Sequence, residues 1–187
     1  MTPITNTSKT SPRRRRIAAA TAAILAASLA VLAAHAATSQ TIGTGTMPHS
    51  DLIGGPAILT VRTLTIAPGE VLGWHAHEGI GAYTVVVSGT LTIEDGCGGE
   101  TVHAQGQAFL EPANRVHRGK NLTGTNVVTA QTFLMPAGTP ISHSLPHRMC
   151  GVPLSAGECK GDGWWTFNFP ETFTSQGACM AFVNETR

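Results

Sequence analysis

Charge is scarce in this sequence: Asp, Glu, Lys and Arg make up 12% of its 187 residues. Beyond Ala36 there is no basic run. All eleven acids but only seven of the twelve bases lie there, which leaves that stretch with a net charge of −4. Such a mildly acidic chain argues against nucleic acid or anionic lipid as a partner. Helical periodicity is missing from this stretch, as is any internal repeat, so a helical bundle and a duplicated barrel are both set aside. There is no Cys-x-x-Cys pair, which weighs against a cysteine-ligated zinc. No serine or cysteine sits in a nucleophile-elbow or triad context, so nothing marks a covalent hydrolase.

The first 36 residues read as an addition to one modest globular domain. Arg13 to Arg16 form a basic run, Ile17 to Ala34 carry no charge, and Ala34-His35-Ala36 has the small-x-small form of a cleavage site. Residues 1–36 are therefore expected to be an export signal, with the arginine cluster permitting a twin-arginine route. A retained anchor is the alternative, since the apolar stretch is just long enough to span a bilayer. Its many alanines are weakly hydrophobic and favour cleavage, giving a mature protein that begins near Ala37. That protein would be exported, periplasmic or extracellular, with no membrane contact.

Residues 37–55 are rich in Thr, Ser and Gly and read as a flexible lead-in or a single edge strand. Short strand-like runs follow closely: Ile58 to Ile66, Val71 to His77, Ala82 to Val87, Thr90 to Glu94, Glu100 to Ala104, Gln107 to Glu111, Val116 to Gly119 and Val127 to Leu134. With Gly, Pro and Asp-Gly turns between them, they predict an all-β barrel or jelly roll.

Three histidines carry the chemistry. Gly69 is followed after five residues by His75, Ala76 and His77, with Gly89 closing the stretch. Gly106 is followed after five residues by Pro112, then by His117 four residues before Asn121. Side chains alternate faces along a strand, so His75 and His77 project the same way. A third histidine from a neighbouring strand then completes one face of a coordination sphere.

In this order the two stretches resemble the two motifs of the cupin superfamily, and the resemblance covers residues 56–137. It implies a double-stranded β-helix, that is, a jelly-roll barrel. It also implies one divalent transition metal (Fe, Mn, Ni, Cu or Zn) held by His75, His77 and His117. Many members carry a glutamate seven residues before the closing glycine, where this chain has Ala82. Glu78 directly follows His77, so on a continuing strand it points to the opposite face and only a bulge or a loop would bring it back. Three protein ligands, all imidazole, are therefore expected, with the remaining positions open to water or substrate. Asn114 stands where a second-motif glycine is usual, a mild change because asparagine tolerates positive φ. Glu111 and Gln131 are candidates for a supporting role by strand position. His49, His103, His143 and His147 lack the spacing and read as surface or supporting residues.

Residues 138–187 hold Cys150, Cys159 and Cys179, together with Trp164, Trp165 and four phenylalanines. Such a tail is too aromatic to be disordered, and reads either as a cover packed outside the barrel or as a lid at its mouth. Four cysteines in an exported chain suggest two disulfides with three connectivities open, and Cys97 in its Asp-Gly-Cys-Gly-Gly turn is placed to tie a hairpin tip to the tail.

By resemblance to three-histidine cupin oxygenases, the expected function is an exported metal-binding cupin acting as a metal-dependent dioxygenase on a small oxygen-rich molecule. The alternative is a non-catalytic small-ligand-binding or structural module. No catalytic acid or base is assigned from the sequence. A small-molecule ligand or substrate is the expected partner, and a homodimer is left open.

Overall fold

The computed structural model describes residues 36–186, and the expected export segment lies outside them apart from Ala36. Among the described residues no helix is long and apolar enough to cross a membrane. Ten strands make up the framework of the described residues: β1 Thr38–Ser50, β2 Gly55–Ile66, β3 His75–Ala76, β4 Ala82–Ser88, β5 Thr90–Asp95, β6 Glu100–Ala104, β7 Ala108–Glu111, β8 His117–Lys120, β9 Val127–Pro136 and β10 His143–Ser144. They form two five-stranded antiparallel sheets, ordered β1-β2-β9-β4-β7 and β10-β3-β8-β5-β6. This is the all-β jelly-roll architecture expected from the spacing of the strand-like runs.

Alternation of burial explains why these segments are strands. In β4, Ala82, Thr84 and Val86 are buried while Tyr83, Val85 and Val87 face outward. In β9, Val127, Thr129, Gln131 and Phe133 are buried on one face. Ile66, Val86, Leu91 and Val127 make one apolar cluster between the sheets. Burying such side chains contributes roughly 1.5–3 kcal/mol each. The Thr-, Ser- and Gly-rich segment before β2 is the edge strand β1, paired with β2 from Thr38↔Thr65 to Ser50↔Gly55 through two irregularities.

The run from Val71 to His77 is mostly not strand. Only an isolated bridge, Val71↔Lys120, precedes β3. The Gly73 carbonyl accepts instead from His75 Nδ1 at 2.9 Å, so the backbone there serves a side chain rather than a ladder. Two tight backbone positions frame the site. Gly89 has φ 80°, and a Cβ there would meet the Asn126 carbonyl oxygen at 2.8 Å, so only glycine fits. Asn114 has φ 55°, the left-handed conformation that the sequence asked of it.

Beyond Pro136 the chain continues across the barrel. β10 pairs with β3, setting Ser144 opposite His75. A short 3-10 turn, Gly163–Thr166, and one helix, α1 (Gln176–Glu185), follow. The helix was not apparent in the sequence. Ser175 Oγ caps it by accepting from the Ala178 N–H at 3.1 Å, and its buried face is only Cys179 and Val183. Two disulfides, Cys97–Cys150 and Cys159–Cys179, settle which of the three connectivities the chain uses.

Candidate metal centre

β3 and β8 are adjacent, and their register sets His75 directly opposite His117. The rings of His75, His77 and His117 lie with centroids 4.5–5.2 Å apart. His77 and His117 are buried and His75 is partly so. The structure thus brings together all three histidines singled out from the spacing. It adds a fourth donor, Glu111 from the end of β7, and one ligand atom from each of the four lies within 4.8 Å of the others.

Each imidazole is oriented by a backbone carbonyl. Nδ1–H of His75 donates to Gly73 O at 2.9 Å, that of His77 to Ile141 O at 2.6 Å, and that of His117 to Arg115 O at 2.8 Å. A carbonyl can only accept, so Nδ1 carries the proton in all three and Nε2 is the nitrogen left for a metal. Nε2 of His77 and of His117 lie 3.0 and 3.1 Å from the same oxygen, Glu111 Oε2. The other oxygen, Oε1, accepts from Thr84 Oγ1 at 2.7 Å and from Gln131 Nε2 at 3.3 Å. Glu111 is therefore clamped by one oxygen and presents the other to the histidines.

These groups fit a divalent transition metal. Adjacent ligands around a cation with bonds of about 2.1 Å are spaced by roughly 3 Å, the separation Glu111 Oε2 keeps from both Nε2 atoms. Burial would raise the Glu111 pKa, but hydrogen bonds from His117 and His77 outweigh it and hold the carboxylate well below its usual range. Burial would lower His117, yet its hydrogen bond to Glu111 raises it above its ordinary value. Burial, then the neighbouring His117 and His77, push His75 down to about 3, so it is a neutral ligand at any working pH. Each Nε2 facing Glu111 can offer it a proton or offer a metal its lone pair, not both, so metal entry releases a proton.

Sequence reasoning placed Glu111 only as a supporting candidate. Its register partner is Ala82, the position where many cupins carry their glutamate. The carboxylate missing from β4 is thus supplied by the strand beside it. Glu78, considered and set on the opposite face, reaches His143 Nε2 at 2.6 Å instead. His103 stacks on Phe109 at 3.8 Å, and His49 sits near Asp51 on the surface. Thr84 and the Ile141 carbonyl were not anticipated. Thr84 carried a usable signal, being two residues beyond Ala82 and so on the same inward face.

A cavity of about 210 Å³ opens beside the donors, lined among others by His75, Glu111, His117, Leu64, Leu72 and Ile93. A second, of about 300 Å³, lies on the β5–β7 side, and Glu111 and His117 are the donors that line both.

A jelly-roll barrel with imidazole and carboxylate donors converging inside it defines a class of metal-site proteins. Residues 62–133 match the family model described as Cupin domain, and this stretch of the chain is a cupin domain. Among solved structures, the chain resembles a cupin superfamily protein from Desulfitobacterium hafniense at 14% identity and a TM-score of 0.41, over 54% of this chain and 79% of that one. It also resembles a protein with a double-stranded β-helix domain from Klebsiella pneumoniae, at 14% identity and a TM-score of 0.44, over 59% and 85% of the two chains. No curated protein matches the chain.

Proposed function

We propose that the chain is an exported, metal-dependent oxygenase acting on a small oxygen-rich molecule. The observation that carries this reading is the clamp on Glu111. Thr84 and Gln131 fix Oε1 while Oε2 faces His77 and His117, so four preorganised donors converge and the cavity opens beside His75, Glu111 and His117. Four protein ligands leave about two positions on a six-coordinate ion, enough for a chelating oxygen substrate or for one substrate oxygen beside O₂. A bound transition metal would supply Lewis acidity and, if redox-active, electron transfer to O₂.

The chain's own residues supply the rest. The three backbone carbonyls hold the imidazoles in one tautomer. The Glu111 carboxylate, kept ionised and clamped through Oε1 by Thr84 and Gln131, would complete the donor set through Oε2. Leu64, Leu72, Leu91 and Ile93 give the cavity an apolar wall opposite its polar residues Arg62, Thr129 and Gln131. Export is supported by the two disulfides, which persist in an oxidising compartment.

Elemental analysis of exported protein tests the metal, with one divalent ion per chain expected. Loading with Fe(II) and screening catechols, β-diketones and hydroxy-acids should then give substrate-dependent oxygen uptake that disappears in His77→Ala. Ligand-induced stabilisation without oxygen consumption, whichever of Fe, Mn, Ni, Cu or Zn is loaded, would retire the oxygenase reading in favour of a binding module.

A further inference from the structure

The cavity beside the metal donors contains a cation that the site described so far does not use. Arg62 lies on β2, its side chain directed inward with those of Thr60, Leu64 and Ile66, a lone charge on an apolar face. Its Nε–H donates to Gln131 Oε1 at 2.8 Å, and its guanidinium carbon lies 4.8 Å from the centre of the Phe133 ring. Among the described residues no carboxylate lies within ion-pair distance of it. Every other arginine held by a carboxylate here, Arg115 and Arg118, sits away from this cavity.

Arg62 is also coupled to the centre by register. Arg62, Gln131 and Thr84 form one cross-strand row over β2, β9 and β4. Gln131 spends its carbonyl oxygen on Arg62 and its amide on Glu111, so its orientation is fixed from both ends. Among the described residues the arginine's two terminal nitrogens have no acceptor. Ser142 and Ser144 line the same cavity, and Thr129, also lining it, has a buried hydroxyl without a partner. A half-buried guanidinium without a carboxylate partner, beside the unpartnered hydroxyl of Thr129, has the donors an anion needs.

We propose that this cavity takes a small carboxylate-bearing molecule, its carboxylate on Arg62 and an oxygen at its other end on the metal. The proposal rests on the metal reading above and narrows its substrate class from oxygen-rich to anionic. Size agrees: about 210 Å³ is the space of roughly seven waters at ~30 Å³ each. That accommodates a molecule, or the end of one, of about seven to nine non-hydrogen atoms. Burial lowers the Arg62 pKa, and the Glu111 carboxylate raises it by less.

The test uses three molecules of nearly equal size that differ in charge: succinate, succinamate and succinamide. Calorimetric titration of the metal-loaded protein should show succinate bound at least roughly tenfold more tightly than succinamate. In Arg62→Met, which keeps most of the packing on Phe133, that preference should collapse towards one. Arg62→Lys should restore part of it, because a point charge cannot form the fork of two N–H bonds. An unchanged preference in Arg62→Met, or no succinate binding at millimolar concentration, would overturn the proposal. Metal content measured on the same samples separates the two readings. If wild-type protein holds no metal, the metal reading fails by itself. The Arg62 dependence is then read as succinamate against succinamide, and equal affinities of those two in wild-type protein would overturn the carboxylate site independently.

Discussion

The barrel interior and the C-terminal tail solve opposite problems. Between the sheets, polar groups take positions that packing alone would give to apolar ones: His77, Thr84, Glu111, His117, Asn121, Thr129 and Gln131 are all buried. In the tail, Cys150, Cys159, Phe167, Cys179 and Val183 form a small core with Trp164, Phe173, Met180 and Phe182 against it, and the Arg115 guanidinium carbon lies 5.9 Å from the centre of the Phe167 ring. The tail therefore combines a disulfide with aromatic packing, whereas the barrel combines its ladders and an apolar cluster with a polar centre. Arg115 joins the two. Its side chain binds Asp95, the Val152 carbonyl and Glu158, while its own carbonyl orients His117.

The sharpest test of that division is His117→Ala. It removes one metal donor and strips Glu111 Oε2 of a partner, so elemental analysis should show bound metal falling to a small fraction of one per chain. Thermal stability of the tail should change less. Next in size is Cys159→Ala with Cys179→Ala. Opening a loop of sequence separation 20 should cost about 3 kcal/mol, seen as a lower midpoint in urea, with metal stoichiometry unchanged. Loss of metal from that variant would mean the tail is part of the site and not a separate support.

Glu111→Gln should be milder. The amide retains the volume and a contact to Thr84 but not the charge, and metal affinity should fall roughly ten- to a hundredfold by competition with a chelator. Retained affinity would reduce the centre to its three imidazoles. The smallest effect is that of pH. Metal must displace the proton that Glu111 stabilises on His117, so affinity should decline as pH falls through the raised His117 pKa, above 6.5. The metal-free His117–Glu111 pair behaves oppositely, stabilising the fold at low pH and losing that contribution as pH rises through the same value. Melting temperature against pH, with and without metal, distinguishes the two curves.

The contrast also explains what the sequence disclosed. Barrel strands were legible because alternation is a local property, and Glu100 to Ala104 was located to the residue. The segment before His75 misled because Gly73 gives its carbonyl to the His75 ring two residues on, a local contact that strand alternation does not report. Glu111 came forward only through strand position. Its contact with His77 depends on the pairing of β4 with β7 and on a histidine 34 residues away. Arg62 passed unnoticed although a single arginine amid Ile58, Leu64 and Ile66 was a visible departure from pattern. The tail resisted most. Cysteine pairing is a fact of three-dimensional proximity, and a ten-residue helix with two buried residues leaves little periodic trace.

One row across the first sheet has a consequence for how this chain tolerates length changes. Arg62, Gln131 and Thr84 face inward only because three strands keep step, and side chains switch sides with every residue. Deleting a single residue between Val127 and Ala130 would turn Gln131 to solvent and bring Thr132 inside, releasing Arg62 and Glu111 together. An insertion at Thr123 to Asn126, in the loop before β9, leaves that phase intact. The molecule thus has a fixed gauge across its first sheet, whereas the link between the two sheets before β9 can lengthen without shifting it.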